Sequence, residues 1–337
     1  MPYAIFVAVP PSTAFNGLPM QRLSDIREIL AQAGQEPRKR WGQNFLIDGN
    51  LLGKLVELAA LTGREVVLEV GPGTGTLTEE LLPRAGRVVC VEVDRGLADL
   101  LRGRLAAQAN FRLVEADVLD GKHALSARAL SAVAEARREL AASAPAHLVS
   151  NLPYNAAVPV VLNALLLSWA AARPAEAGGA GAAPEAPEPV LFERLTFTVQ
   201  KELAQRLLAR AGSDAYGPAS VLVALLARAT PGRTLPPEAF WPRPRVTSQM
   251  LRLDFDAPAA AKLADAPTLQ AVLSATFGQR RKMLSTSARR RDLPWPAERF
   301  LQALAAAGIE PSLRPEQVEP QAFLRLANAL VERSSQP

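Results

Sequence analysis

Asn151-Leu152-Pro153-Tyr154 puts a carboxamide, a proline-stiffened backbone and an aromatic ring within four residues. That set suits one reaction, the activation of an exocyclic amine on a nucleobase. Such a nitrogen is a poor nucleophile because its lone pair is delocalised into the ring. If the Asn151 side-chain oxygen accepts one N–H, and a main-chain carbonyl that Pro153 holds in place accepts the other, the nitrogen becomes more tetrahedral. Its lone pair then points at an electrophilic methyl. Both bonds strengthen as positive charge develops on nitrogen, so they act in the transition state. Tyr154 offers a face on which an extruded base stacks, worth about 1–3 kcal/mol. No general base is required, since the proton turns acidic once the methyl has arrived. The plainer reading is a proline turn with a buried tyrosine.

A second constellation lies upstream. Leu68-Glu69-Val70-Gly71-Pro72-Gly73-Thr74-Gly75-Thr76-Leu77 reads as a strand, a glycine-rich turn and a helix. Glycines permit positive φ and let a ligand approach the backbone. The dinucleotide fingerprint wants glycine where Thr76 stands, so alternate-residue glycines here suit a nucleoside with no pyrophosphate to bind. Glu92 follows Gly71 by 21 residues at the end of the next strand, a spacing suited to a carboxylate on both ribose hydroxyls. Asp94 is its competitor, read as solvated. Asp117, after the third strand, is placed to accept from an adenine amine; taken alone it is a helix cap or turn residue.

Alternating elements must hold these points together. Val66–Val70, Val88–Val93 and Phe111–Glu115 read as strands buried on both faces, with helices over Thr76–Leu82, Leu97–Leu105 and Ala124–Leu140. His147–Ser150 is a fourth strand, followed by a helix over Ala156–Trp169. Right-handed crossovers then give a parallel sheet with helices on both faces, and all the candidate residues fall at the carboxyl ends of its strands. Residues 171–190 hold 15 Ala, Gly or Pro among 20 and read as a mobile loop. Arg194–Val199 resumes as a strand, Lys201–Arg210 as a helix, and Ser220–Arg228 and Ser248–Phe255 as two later strands. From Thr268 onward the spacing is helical.

Composition narrows the classes. The chain has 337 residues, 49% hydrophobic and 21% charged, which suits two globular domains. No apolar run approaches the roughly 18 residues of a membrane span. One cysteine, Cys90, forms no internal disulfide and reads as a small core residue; two histidines, His123 and His147, without cysteine partners make zinc chemistry improbable. Met1–Pro11 lacks the basic residues of a secretory signal; the opening segment reads as a disordered extension or as sequence before a start at Met20. Net charge is +5, yet Lys201–Arg291 alone carries 15 basic and 6 acidic residues, a surplus suited to a polyanion. Arg280, Arg281, Lys282, Arg289, Arg290 and Arg291 contribute six cations with no acid between Phe277 and Arg291; on a helix they would face phosphate along one flank.

In this order the motifs resemble the ribosomal small-subunit RNA adenine N6,N6-dimethyltransferase family, from about Pro37 to Val331. Arg38-Lys39-Arg40-Trp41-Gly42-Gln43-Asn44-Phe45-Leu46 is similar to its N-terminal motif, with Trp41 where another aromatic is usual. Gln200-Lys201-Glu202, Ala215-Tyr216-Gly217, Phe240 through Ser248 and Phe277 through Lys282 match later motifs, with Arg245 in place of a commoner lysine. The resemblance implies a Rossmann-like class I methyltransferase sheet over residues 37–256 and a small all-helical RNA-binding domain over 257–337. It implies S-adenosylmethionine as methyl donor, held by Asn44, Leu46, Gly71, Gly73, Glu92, Asp117 and Asn151, with no metal. Asn151, Leu152, Pro153 and Tyr154 become catalytic. Arg38, Lys39, Arg40, Arg243, Arg245, Arg280, Arg281 and Lys282 become RNA contacts. The implied substrate is a pair of adjacent adenines near the 3′ end of 16S rRNA, in a small-subunit assembly intermediate, and the implied protein is a monomer of the cytoplasm, away from membranes. Residues 1–36, a partly disordered extension, and the 171–190 insert are not family features. The alternatives are the resistance methyltransferases of large-subunit rRNA and a nucleic-acid-binding factor without catalysis.

Overall fold

In the computed structural model the described residues are 21–32, 34–36, 43–121, 124–173, 189–290 and 293–332. A seven-stranded sheet has the order β4(Phe111–Glu115), β3(Arg87–Glu92), β2(Val66–Val70), β5(Ala146–Asn151), β6(Phe192–Gln200), β9(Ser248–Phe255), β7(Ala227–Leu235). The first five are parallel, as the βα alternation predicts; the last two pair antiparallel. Val66, Leu68 and Val70 face one apolar layer, built with α5(Ala127–Leu140), α6(Ala157–Ala171) and α8(Pro218–Leu226). Val67, Val88 and Cys90 face the other, with α2(Gly49–Ala59), α3(Thr76–Leu81) and α4(Arg95–Leu105). Period-two alternation of this kind puts Glu69 on the α3 side.

Three expectations need correction. The run predicted as a strand over Ser220–Arg228 is mostly helix: Pro218 opens it, the Ser220 hydroxyl accepts from Gly217 N–H at 3.1 Å, and β7 begins only at Ala227. A short apolar run buried on all sides carries no period by which helix and strand separate. Phe111–Glu115 is half-exposed throughout, because β4 is an edge strand. Within the extension expected over 1–36 to be partly disordered, α1(Leu23–Gln32) buries Ile26 and Leu30 against Phe45 and Leu97. Ten residues are too few for a stable free helix, so those two contacts, about 1.5–3 kcal/mol each, are what hold it. Residues 1–20 lie outside the described residues. The insert expected over 171–190 is packed at both ends, Ala171 closing α6 and Val190 being fully buried, while 174–188 lie outside the described residues.

β1(Phe45–Leu46) pairs antiparallel with β8(Phe240–Trp241), which brings the N-terminal motif against the loop before β9. After β6 comes α7(Lys201–Leu207). Beyond β9 follow α9(Ala257–Ala260), α10(Ala266–Phe277), α11(Leu284–Ser287), α12(Ala297–Ala306) and α13(Pro320–Glu332). They share the apolar layer of α8. Tyr216 and Phe277 sit at that joint: the Tyr216 hydroxyl donates to the Val318 carbonyl at 2.8 Å, and its ring meets Phe277 edge-on at 5.8 Å.

Candidate active site

β2 and β5 are neighbours in the parallel sheet, so their carboxyl-terminal loops emerge side by side, where open α/β sheets hold ligands. The loops touch. A Cβ added to Gly71 would lie 3.1 Å from Cγ of Pro153, and one added to Gly73 would lie 2.7 Å from the Phe45 ring. Both glycines have positive φ, +65° and +62°. Both line the cavity, and their missing side chains also admit Pro153 and Phe45, which closes the site's walls on each other. A single cavity reaches Asn44, Leu46, Gly71, Gly73, Glu92 and Asp117 from one side and Asn151 through Tyr154 from the other.

Glu92, 3% exposed, ends β3 with both carboxylate oxygens occupied by backbone donors. Oε1 accepts from Asp94 N–H at 2.9 Å and Oε2 from Gly73 N–H at 3.2 Å. Burial pushes its pKa up to about 6. Asp94 is not the solvated residue expected. It is buried and caps α4, accepting from the Gly96 and Leu97 amides. Asp117 is exposed at the cavity, one oxygen taking the Leu119 N–H at 3.0 Å; its turn role and its availability coexist.

Asn151 is held by two partners. Its Nδ2 donates to the Asn44 carbonyl at 2.9 Å, and its Oδ1 accepts from the Thr198 hydroxyl. Asn44 O can only accept, so the amide nitrogen must face it and Oδ1 must face away, with one lone pair still to offer. The Leu152 side chain is buried in the α5/α6 layer, so its main chain is what it brings to the site. Pro153 O is taken by Ala156 N–H at 3.0 Å. Tyr154 is half-buried, its hydroxyl 2.8 Å from Ser248 Oγ at the start of β9.

Two residues here escaped sequence reasoning. Glu69 is fully buried under the glycine turn, taking the Thr78 hydroxyl at 2.7 Å and the Cys90 thiol at 3.4 Å. Burial, with Glu92 nearby, pushes it up to about 7. A carboxylate inside an apolar strand was the available signal. Thr198 lies opposite Asn151 in the β5–β6 register. That pairing is set by the fold, and nothing local announces it.

The basic residues scatter more than expected. Arg38, Lys39 and Arg40 lie outside the described residues. Arg243 pairs with Glu238, and Arg245 is exposed. Arg280 donates to the Asp214 carbonyl at 2.7 Å and the Ser213 carbonyl at 3.1 Å, tying down the loop before Tyr216. Arg281 and Lys282 are exposed. They stand on turns between α10 and α11, which corrects the expectation of a continuous helical flank; α10 stops at Phe277. Among the described residues no group of side chains could hold a metal ion, and no helix is long and apolar enough to cross a membrane.

Comparison with known proteins agrees with this geometry. The sequence profile described as ribosomal RNA adenine dimethylase matches residues 34–332. A ribosomal RNA small subunit methyltransferase A of Phenylobacterium zucineum is 36% identical over 320 residues, spanning 94% of this chain and 96% of the relative. Its counterpart in Kineococcus radiotolerans is 38% identical over 304 residues, covering 90% and 89%. In fold, the crystal structure of a dimethyladenosine transferase from Plasmodium falciparum superposes with a TM-score of 0.63 at 19% identity, over 85% of this chain and 97% of that one. With glycine turn, carboxylates and carboxamide gathered at one sheet edge, and with matches that run nearly end to end, this chain belongs to the ribosomal RNA adenine dimethylase family.

Proposed function

We propose that the protein dimethylates N6 of two adjacent adenines near the 3′ end of 16S rRNA, acting on a small-subunit assembly intermediate with S-adenosylmethionine as methyl donor. The observation that carries this is the contact of the β2 and β5 loops at Gly71 and Pro153, which lets a methyl donor and an adenine amine meet beside Asn151. The residues present fit the cofactor. Glu92 is a buried acceptor fixed at a strand end, Asp117 an open one at the next, and the half-exposed Val93 between them an apolar surface for a purine. When bound, S-adenosylmethionine supplies an electrophilic methyl on a sulfonium.

The protein's part is to orient and polarise. Asn151 Oδ1 accepts one N6–H, and the other is assigned to the Leu152 carbonyl, the main-chain acceptor whose peptide bond runs into the Pro153 ring and is stiffened by it. Tyr154 stacks on the everted base while Ser248 fixes the ring through its hydroxyl. With the donor bound, the N6 lone pair oriented by these acceptors would take the methyl, the C–S electron pair staying with sulfur and the N6 proton leaving to water. A second round would need a fresh methyl donor in place of the spent thioether, and rotation of the methylamine. The helices of residues 257–337 are proposed to dock rRNA by shape and backbone, as duplex RNA requires. The relatives' names favour small-subunit over large-subunit rRNA.

Mapping methylated adenines after expression in cells that lack the host enzyme tests the site. Modification of the paired 16S adenines is expected; modification confined to large-subunit RNA would overturn the choice. Two further results follow from the same geometry. Reversing Arg281 and Lys282 to glutamate is expected to weaken RNA binding and reduce the slope of log affinity against log salt by roughly 0.7–0.9 for each phosphate no longer neutralised; an unchanged slope removes that patch from the interface. Cofactor affinity should fall as pH drops through about 6, because protonated Glu92 loses acceptor capacity for ribose hydroxyls. Each unit below that point costs up to roughly tenfold. Free-protein stability runs the other way. A carboxyl whose pKa is raised on folding adds stability below its unfolded value near 4.5, and loses it as pH rises through about 6 for Glu92 and about 7 for Glu69. Calorimetry with S-adenosylmethionine and melting curves from pH 4.5 to 8 check both trends.

A further inference from the structure

The glycine-rich turn is closed from within by the Gly75 N–H on the Pro72 carbonyl at 3.0 Å and by the Thr74 and Thr76 hydroxyls, 3.2 Å apart. Gly75 caps α3 without a side chain, and the turn carries glycines at 71, 73 and 75, so its folded shape costs much conformational entropy. Glu92 clamps it from the cavity side through Gly73 N–H. A second clamp comes from the opposite direction, out of the segment before the sheet.

Gln21 is 4% exposed and spends its whole carboxamide on this turn and on α3. Its Nε2 donates to the Thr74 carbonyl at 3.2 Å and to Glu79 Oε2 at 3.0 Å, and its Oε1 accepts from the Thr76 hydroxyl at 3.0 Å. Glu79 is braced in turn by Arg104 of α4. The same segment then supports the turn a second time. Ile26 and Leu30 of α1 pack with Phe45, the ring that fills the space beside Gly73, and Arg27 lies 5.3 Å from the Trp241 ring, which stacks on Phe45 at 6.3 Å. Beyond α1, Gln35 closes on the backbone of Gly96 so tightly that an added Cβ would lie 2.2 Å from it. Gln21 at the start of α3 and Gln35 at the start of α4 thus tie this segment to the two helices that follow the proposed cofactor strands.

We propose that Gln21 is a positioning residue for the cofactor site: it holds the 71–76 turn in its binding shape, so that the segment before the family's N-terminal motif contributes to S-adenosylmethionine affinity without touching the ligand. This rests on the cofactor reading above. Gln21→Ala is expected to weaken S-adenosylmethionine binding about tenfold, the scale of losing one to two buried hydrogen bonds. Gln21→Glu should be weaker still, since it sets a carboxylate against Glu79 and the Thr74 carbonyl. Ser24→Ala, on the exposed side of α1, should match the wild type. In turnover assays the KM for S-adenosylmethionine should rise while the KM for RNA stays within twofold, a split that general loosening would not produce.

Calorimetry of the full-length protein with S-adenosylmethionine is the test, with melting curves run alongside. If the wild type does not bind, the cofactor reading itself falls. If it binds and both Gln21 variants bind within twofold of it, the positioning role is overturned while the cofactor reading stands. Gln21→Met keeps the volume and removes the hydrogen bonds, and replaces Gln21→Ala should the latter melt below assay temperature. Unfolding of both would make Gln21 a structural residue and also overturn the proposal.

Discussion

Asn151→Ala should lower single-turnover methyl transfer roughly 10²–10³-fold, the loss seen when one preorganised charge-stabilising partner is removed from a reaction site. The oxygen it deletes is the acceptor proposed for one N6–H. No neighbour substitutes for it, since Thr198 points a donor at the same place. The variant also loses the bond to Asn44 O, which loosens the strand pair of Phe45 and Leu46 against Phe240 and Trp241. That second effect reaches cofactor affinity, and is expected to cost only a few-fold, because Glu92 and the glycine turn keep their own contacts. Rate and affinity should therefore separate widely. Asn151→Asp is not a rescue: its carboxylate would face the Asn44 carbonyl, acceptor against acceptor. Rapid-quench kinetics with labelled cofactor, beside calorimetry on the same preparation, measures both quantities. A variant that transfers within tenfold of wild type would remove Asn151 from the chemistry.

Glu92→Gln is expected to weaken S-adenosylmethionine binding about 10²-fold, the scale of about two lost charge-assisted hydrogen bonds at 1.5 kcal/mol each. Volume is conserved, so packing is not the cause. Both carboxylate oxygens already accept a backbone N–H, from Gly73 and Asp94. A carboxamide has one oxygen, so its NH₂ must oppose one of those donors or turn away and release the glycine turn. Either outcome damages the proposed ribose contact and the turn together. Affinity unchanged by this substitution would place the ribose elsewhere. A second signature follows from the acid range: the loss of affinity below pH 6 expected of the wild type should vanish in Glu92→Gln, which has nothing there to titrate.

Much of this is legible in the sequence because the chemistry is local. Gly71, Gly73, Glu92, Asp117 and Asn151 each close a strand or open a turn, and a parallel sheet brings successive strand ends to one edge whatever the loops do. Asn44 and Leu46 come from family resemblance alone, and they do lie at the cavity. What stays hidden depends on long-range register. Thr198 reaches Asn151 only through β5–β6 pairing, and Ser248 reaches Tyr154 across 94 residues. Gln21 lies 53 residues from Thr74, in a stretch that reads as loose extension. The strand expected over Ser220–Arg228 fails for another reason, since Val221, Leu222, Val223, Leu225 and Leu226 are all buried and leave no polar face to reveal the helical period. For the glycines the sequence reveals the turn but not the neighbours, Pro153 and Phe45, that the missing side chains also admit.

The proposed meeting of methyl donor and adenine amine at the tips of β2 and β5 is tested most directly by a crystal structure with S-adenosylhomocysteine and a short RNA bearing the paired adenines. The expected result has the ribose hydroxyls on Glu92, the sulfur beside Gly71, and an adenine N6 within hydrogen-bond reach of Asn151 Oδ1 and the Leu152 carbonyl, its ring on Tyr154. A ribose away from Glu92, or an adenine amine that approaches the sulfur without meeting Asn151, would contradict it.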